Sequence, residues 1–371
     1  MSKWHETPLG LIAEVQTGPF GSQLKNEQYI TGGTPVVTVE HINNFRVVDF
    51  DYPSVTDNDK ERLSKYILRA GDIVFTRVGS VDLSAYIQPH QEGWMFSSRM
   101  LRVRPNKKLD ARYLSYFFQQ KAFRENLLSI AVGATMPSIN TEILESVTVT
   151  FPLLPEQRAI ASLLSSLDDK IDLLHRQNKT LDAMAEALFR QWFVEEAQED
   201  WEEGKVSDLF VLQRGYDLPT QDRIDGHYPI LAASGYSGGH AEYKVKGPGV
   251  TTGRSGLLGK VFFVLENFWP LNTSLYVKEF KRGTPLFSYF FLKTLGLDLY
   301  NAGSAVPTLN RNHVHAENVV LPPQELIAWF EETALPLYQK IKQNELQVNI
   351  LENLRDTLLP KLMSGEVRVA V

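Results

Sequence analysis

The chain of 371 residues contains no cysteine. This excludes disulfides, thiolate nucleophiles and cysteine-based zinc sites, and it suits a reducing, cytoplasmic setting. Long hydrophobic runs are also missing: no stretch approaches 18 apolar residues, and the opening MSKWHETPLGLIAEV lacks an apolar leader core. Neither export nor a membrane span is expected. A strong excess of one charge is absent too, with 38 Lys and Arg against 44 Asp and Glu. The acidity is local. Residues 151–200 hold 5 basic and 10 acidic side chains and 321–371 hold 5 and 7, which leaves the two larger segments near balance. Within the first of these, RMLRVRPNKKLDAR (99–112) gathers Arg99, Arg102, Arg104, Lys107, Lys108 and Arg112 against one Asp. Such a cluster can neutralise phosphates even in an acidic chain. A solvated strand edge is its plainer reading.

Familiar catalytic signatures are scarce as well. GRSGLLGK (253–260) misses the phosphate-binding loop, because Arg254 stands where a Gly is needed and Val261 where Ser or Thr is needed. A turn between strands fits better, with Arg254 and Lys260 near its tip. No Asn/Asp-Pro-Pro-aromatic tetrapeptide of an amino-methyltransferase occurs, and no Gly-x-Ser-x-Gly elbow. Asp225 followed by Glu242-Tyr243-Lys244 matches a loose nuclease pattern, but a hairpin beside a Gly-rich turn explains it more simply. His313 and His315 would share one face of a strand, yet no third ligand accompanies them, so no metal site is expected.

What is present is a repeat. GATMPSIN (133–140) returns as GSAVPTLN (303–310), each time just before a Pro-marked junction. Earlier matches keep the same order: WHETPLGLIAEVQTG (4–18) with WEEGKVSDLFVLQRG (201–215), GDIVFTRVGS (71–80) with GPGVTTGRSG (247–256), and YLSYFFQQ (113–120) with FSYFFLKT (287–294). VTVTFPLLPEQ (147–157) against NVVLPPQE (318–325) follows the octets. The unit is duplicated. Each copy mixes short strand patterns (IVFTRVGS, MLRVRP, TPVVTVEHI; VFFVLENF, SLYVKEF) with helical patterns at Ala111–Asn126 and Leu286–Tyr300. ASGYSGGHAEY (233–243) reads as a Gly-rich turn. Each copy is therefore an α+β domain.

Each copy also ends in a heptad seam. The first runs through Ile160, Leu164, Leu167, Ile171, Leu174, Asn178, Leu181, Ala185, Leu188 and Trp192. The second runs through Ala334, Leu337, Ile341, Asn344, Val348, Leu351, Arg355, Leu358 and Leu362. From Pro155 to Phe193 one straight helix would reach roughly 55–60 Å. Pro336 and Pro360 are expected to interrupt the second, leaving a clean stretch of about 35 Å after a short helix. The simplest arrangement is an antiparallel pair with a globular unit at each end, Asn178 and Asn344 meeting across it to set register.

The order of unit, PLLPEQRAIASLLSSLDDKIDLLHRQNKTLDAMAEALFRQWF, unit, and a tail reading LENLRDTLLPKLMSGEVRV resembles the specificity subunit of type I restriction–modification systems. The likeness spans essentially the whole chain. It implies two similar globular target recognition domains, at 1–152 and 199–321. They would be separated by two long antiparallel coiled-coil-like helices, 153–198 and 322–371, in an internal pseudo-two-fold repeat. It further implies a non-catalytic subunit that recognises a bipartite target in double-stranded DNA. Its partners would be two modification (methyltransferase) subunits and restriction (translocase/endonuclease) subunits. S-adenosylmethionine, ATP and Mg would then belong to those partners, with no cofactor on this chain. The position of each loop in that pattern nominates Ser22, Lys25, Arg77, Ser80, Ser98 and Arg99 as DNA contacts in the first unit, and the basic cluster adds Arg102 and Arg104. In the second it nominates Tyr236, Ser237, Arg254, Ser255, Asn272 and Thr273, to which the Gly-rich turn adds Lys260 and the second octet's end adds Arg311. Thr135, Ser138, Asn140, Thr308 and Asn310 of the octets either face the DNA backbone or cap local main chain. A cryptic metal-dependent nuclease, a degenerate methyltransferase and a DNA-independent adaptor are the competing readings.

Overall fold

The computed structural model describes residues 4–48, 50–133, 135–301, 303 and 306–369. These form two compact units, one comprising residues up to Asp172 together with Asn349 onward, the other Leu173–Val348. This division cuts through both expected helical segments, because each long helix contributes to the core of both units.

In the first unit a four-stranded antiparallel sheet has the order Ala13–Thr17, Met100–Pro105, Ile73–Thr76, Ser84–Tyr86. Side chains alternate across a strand, so neighbouring residues enter different cores. Leu101, Val103, Ile73 and Phe75 enter one with helix Ala111–Gln119; Met100, Val74 and Ala85 enter another with Val36, Val37 and Phe96. Asp110 caps that helix by accepting from the Tyr113 N–H at 3.0 Å. Covering the sheet's second face, Thr34–Val37 pairs antiparallel with Ser54–Val55 and parallel with Met95–Phe96. His5–Pro8 pairs with Thr148–Phe151 to close the unit.

The second unit repeats this plan. Its sheet order is Phe210–Arg214, Ser274–Phe280, Gly249–Gly253, Val261–Val264. Tyr228–Ala232 lies between Gly235–His240, antiparallel, and Trp269–Pro270, parallel. Glu202–Lys205 pairs with Asn318–Leu321. The Gly-rich stretch expected as a turn is thus largely a strand. Its glycines permit close approach, since a Cβ on Gly239 would lie 2.0 Å from the Gly226 carbonyl oxygen.

The first long helix runs from Leu154 to Arg190 and ends in a wider π-type turn, Gln191–Glu195. The second runs unbroken from Gln324 to Ser364, through both prolines that were expected to interrupt it. Pro336 and Pro360 lie on its exposed side, as do Glu332 and Asp356, whose carbonyls lose their helical donors. Ala334 and Tyr338 flank one proline in the second unit's core, and Leu359, Leu362 and Met363 flank the other in the first's. That packing outweighs the lost bonds.

The seams meet as antiparallel pairs. In the second unit Asn344 Nδ2 donates to Asn178 Oδ1 at 2.8 Å, and Tyr338 Oη to Asp182 at 2.6 Å. In the first, Ile160 and Leu164 share a core with Leu359 and Leu362, and Arg355 donates to Asp168 at 2.9 Å. Ile171, Leu174 and Val348 are buried, and Leu167, Leu181, Leu188, Leu337, Ile341, Leu351 and Leu358 half-buried. The fold is α+β, with two similar globular parts and long antiparallel helices in an internal repeat.

Candidate nucleic-acid interface

At one end of each four-stranded sheet the chain leaves its strands in loops stitched together by main-chain bonds. The Gly18 N–H donates to Met100 O at 3.0 Å, and Arg77 N–H to Arg99 O at 2.8 Å. Gly79 N–H donates to Pro137 O at 2.8 Å, and Ile139 N–H to Arg77 O at 3.0 Å. In the second unit Gly215 N–H donates to Ser274 O at 3.0 Å, and Arg254 N–H to Thr273 O at 2.8 Å. Gly256 N–H donates to Pro307 O at 2.9 Å, and Leu309 N–H to Arg254 O at 2.8 Å. All four bonds recur at matching positions. The Gln-x-Gly match has a steric cause: a Cβ on Gly18 would lie 2.0 Å from Ser97 O, and one on Gly215 2.2 Å from Leu271 O.

The octets end these loop clusters. Asn140 accepts from the Ile143 N–H at 2.8 Å, capping helix Thr141–Ser146, and Asn310 accepts from Asn312 N–H at 3.0 Å, capping Arg311–Ala316. Ser138 Oγ donates to Val132 O at 3.1 Å and Thr308 Oγ1 to Val306 O at 3.0 Å. These four polar side chains are taken up by local main chain; Thr135 stays exposed. Ala134, Ser304 and Ala305 lie outside the described residues.

Of the nominated residues, Ser22, Lys25, Ser80, Arg99, Tyr236, Lys260 and Arg311 are exposed. Arg77, Ser98, Arg254, Ser255, Asn272 and Thr273 are half-buried at the loop bases. There Arg77 donates to Thr17 Oγ1 at 3.2 Å and Arg254 to Asn272 O at 3.1 Å. Tyr236 and Ser237 sit on strand Gly235–His240, not on a loop, and Ser237 O accepts from Arg223 at 3.1 Å.

The basic cluster is less open than its spacing suggested at two positions. Arg102 is 1% exposed and bonds Glu14 at 2.6 Å and Lys65 O at 3.1 Å. Burial, then the neighbouring Arg104, pull its guanidinium below its usual pKa. Arg104 grips the buried Asp72 with two bonds of 2.7 Å. Position on the strand decides this: both side chains lie on the same face, where Arg102 is buried and Arg104 half-buried and each already has a carboxylate partner. The histidines are also corrected, since His313 and His315 lie on the short helix Arg311–Ala316 rather than a strand. His315 Nε2 accepts from Leu212 N–H at 2.8 Å, and burial lowers its pKa. Among the described residues no cluster of three or more His, Asp or Glu is placed to hold a metal, and no helix is long and apolar enough to cross a membrane.

Two features escaped the sequence reading. Asp217, two residues beyond the Gln-x-Gly match, accepts from Asn272 Nδ2 and from Arg214 at 3.3 Å, so a carboxylate sits among the second unit's loops. Asp168 collects Tyr116 Oη at 2.5 Å and Arg355 at 2.9 Å, while Arg46 pairs with Asp172. Nothing in the linear spacing of Arg46 or Tyr116 marks these as partners of a helix face.

Comparison with known proteins bears on what this arrangement does. The profile of the type I restriction modification DNA specificity domain matches residues 1–183 and again 198–354. The MjaIX specificity subunit of Methanocaldococcus jannaschii is 23% identical, over 99% of this chain and 94% of its own length. The HindI specificity subunit of Haemophilus influenzae is 23% identical over 62% of this chain and 49% of its own. The crystal structure of a type I restriction–modification S subunit from M. genitalium superposes with a TM-score of 0.71 at 19% identity, covering 97% of this chain and 96% of that one. Two matched domains, with loops tied alike in each, make this chain a member of the type I restriction–modification DNA specificity family, whose work is DNA target recognition.

Proposed function

We propose that the chain reads a two-part duplex target, one half with each unit, and performs no chemistry itself. The paired helices serve as the platform for two modification (methyltransferase) subunits and for restriction subunits, which bring S-adenosylmethionine, ATP and Mg. The observation carrying this reading is the duplicated loop cluster: the main-chain stitching is the same in both units, but the side chains on it differ. One frame with two sets of groups suits two unlike half-sites. Lys25, Arg99, Lys260 and Arg311 supply exposed charge for phosphates. Ser22, Ser80, Ser98, Ser255, Asn272, Thr273 and Tyr236 supply the donors and acceptors that base edges require.

Methylation mapping in cells with and without the chain tests this. A two-part adenine-methylated motif should vanish when the chain is removed, and exchanging one unit for that of another family member should change one half only. Persistence of the motif without the chain would overturn the proposal.

A further inference from the structure

The residues repeated between the two octets have matching structural roles. Gly133 and Gly303 lie against the carbonyl oxygens of Met136 and Val306, where a Cβ would come within 2.6 and 2.0 Å. Pro137 and Pro307 offer their carbonyls to Gly79 and Gly256. Ile139 and Leu309 are each 2% exposed, so their side chains are buried plugs, while their N–H groups donate to Arg77 and Arg254. Asn140 and Asn310 start the short helices that follow. Each octet therefore grips the neighbouring loop on both sides of its turn, at 77 and 79 or at 254 and 256, and anchors that grip in the core.

We propose that the octets are braces, positioning segments that hold the Arg77–Ser80 and Arg254–Ser255 loops at a fixed pitch, so that half-site discrimination depends on segments whose own anchoring groups face inward. The reasoning rests on the reading that those loops face DNA. A loop hinged only at its strand ends would let its donors wander by more than a hydrogen bond tolerates. Two further bonds and a buried plug remove that freedom. Each brace acts within its own unit, so its loss is confined to one half of the target.

The test is methylation mapping with Ile139→Ala, Asn140→Ala and Leu309→Ala introduced separately into the full chain within its complete system. The unaltered chain must first direct a two-part motif; if it does not, the functional proposal has failed rather than the brace. Ile139→Ala and Asn140→Ala should relax the preferred base by about tenfold at positions in one half-site. The other half should stay unchanged, and Leu309→Ala should show the reverse. A brace with only a stabilising role would lower methylation at every site in proportion to folded protein and leave the motif intact, which overturns the inference. An unaltered motif at unaltered level also overturns it. Where Ile139→Ala leaves no methylation, Ile139→Val decides, and an unchanged motif there counts against the brace.

Discussion

The same interior slot is filled differently in the two units. Arg102 faces Gln16 across the first sheet, and Tyr276 faces Gln213 across the second, the two glutamines being those of the repeated Gln-x-Gly. Arg102 is held by Glu14 and Lys65 O, whereas the Tyr276 hydroxyl shares a 2.9 Å bond with Tyr216. Val211 stands where Glu14 stands in the first unit. The main chain of the repeat has thus been kept while its buried polar chemistry was rebuilt as a set. Helix capping follows suit. Asp110 caps its own helix locally, but Thr284 makes no such bond, and Glu331 on the second long helix accepts from the Leu286 N–H at 2.9 Å.

The sharpest break in this comparison is Arg102→Glu, which sets a buried negative charge beside Glu14. It should destabilise the first unit by about 4 kcal/mol or more, seen as loss of amide exchange protection across Met100–Pro105. Tyr276→Phe removes one hydroxyl bond from the matching slot and should lower stability by only about 1 kcal/mol. Equal effects would contradict the assigned difference, a paired charge in one slot and a neutral hydroxyl bond in the other.

A second contrast lies on the helices. Asp168→Ala strips acceptors from both Tyr116 and Arg355 and should lose about 2–3 kcal/mol in urea unfolding. Asp182→Ala frees only the Tyr338 hydroxyl and should lose about half as much. A larger loss at Asp182 would reverse the ranking.

The smallest effect concerns Glu331, whose pKa burial raises above the usual carboxylate value. Its folded form favours the proton, so its contribution is fully present below the unfolded pKa and is lost as pH rises through the folded one. Glu331→Gln keeps an acceptor for Leu286 without the charge. It should raise the melting temperature slightly at neutral pH, and the gain should shrink toward pH 4. A gain that grew on acidification would contradict the assignment.

The specificity family, matched once over each half of the chain, accounts for the duplicated plan. Much of that plan was legible in the residues. Heptad spacing identified the seam, because buried positions on a helix must recur every three or four residues, and Ile160, Ile171, Leu174 and Val348 follow it. The Gln-x-Gly and octet repeats marked both loop clusters, because only Gly fits where a Cβ would lie 2.0–2.6 Å from a carbonyl oxygen. Local propensity misled at Pro336 and Pro360, where solvent-facing placement spares the helix, and at Gly239, where close approach to Gly226 accompanies a strand.

Charge was the least legible feature. Arg99, Arg102 and Arg104 are equivalent letters in one run, yet Arg99 precedes strand Met100–Pro105 and stays exposed, while Arg102 lies within it and is buried. The sequence by itself determined the duplication, the helical seams and the glycines of the loops, since these depend on periodicity and backbone sterics. Only the tertiary structure decided which cations stay in water, which octet groups turn inward, and that Arg46 and Tyr116 meet the Asp168–Asp172 face of a helix. Those outcomes depend on distant chain segments arriving at the same place, and no local spacing encodes that.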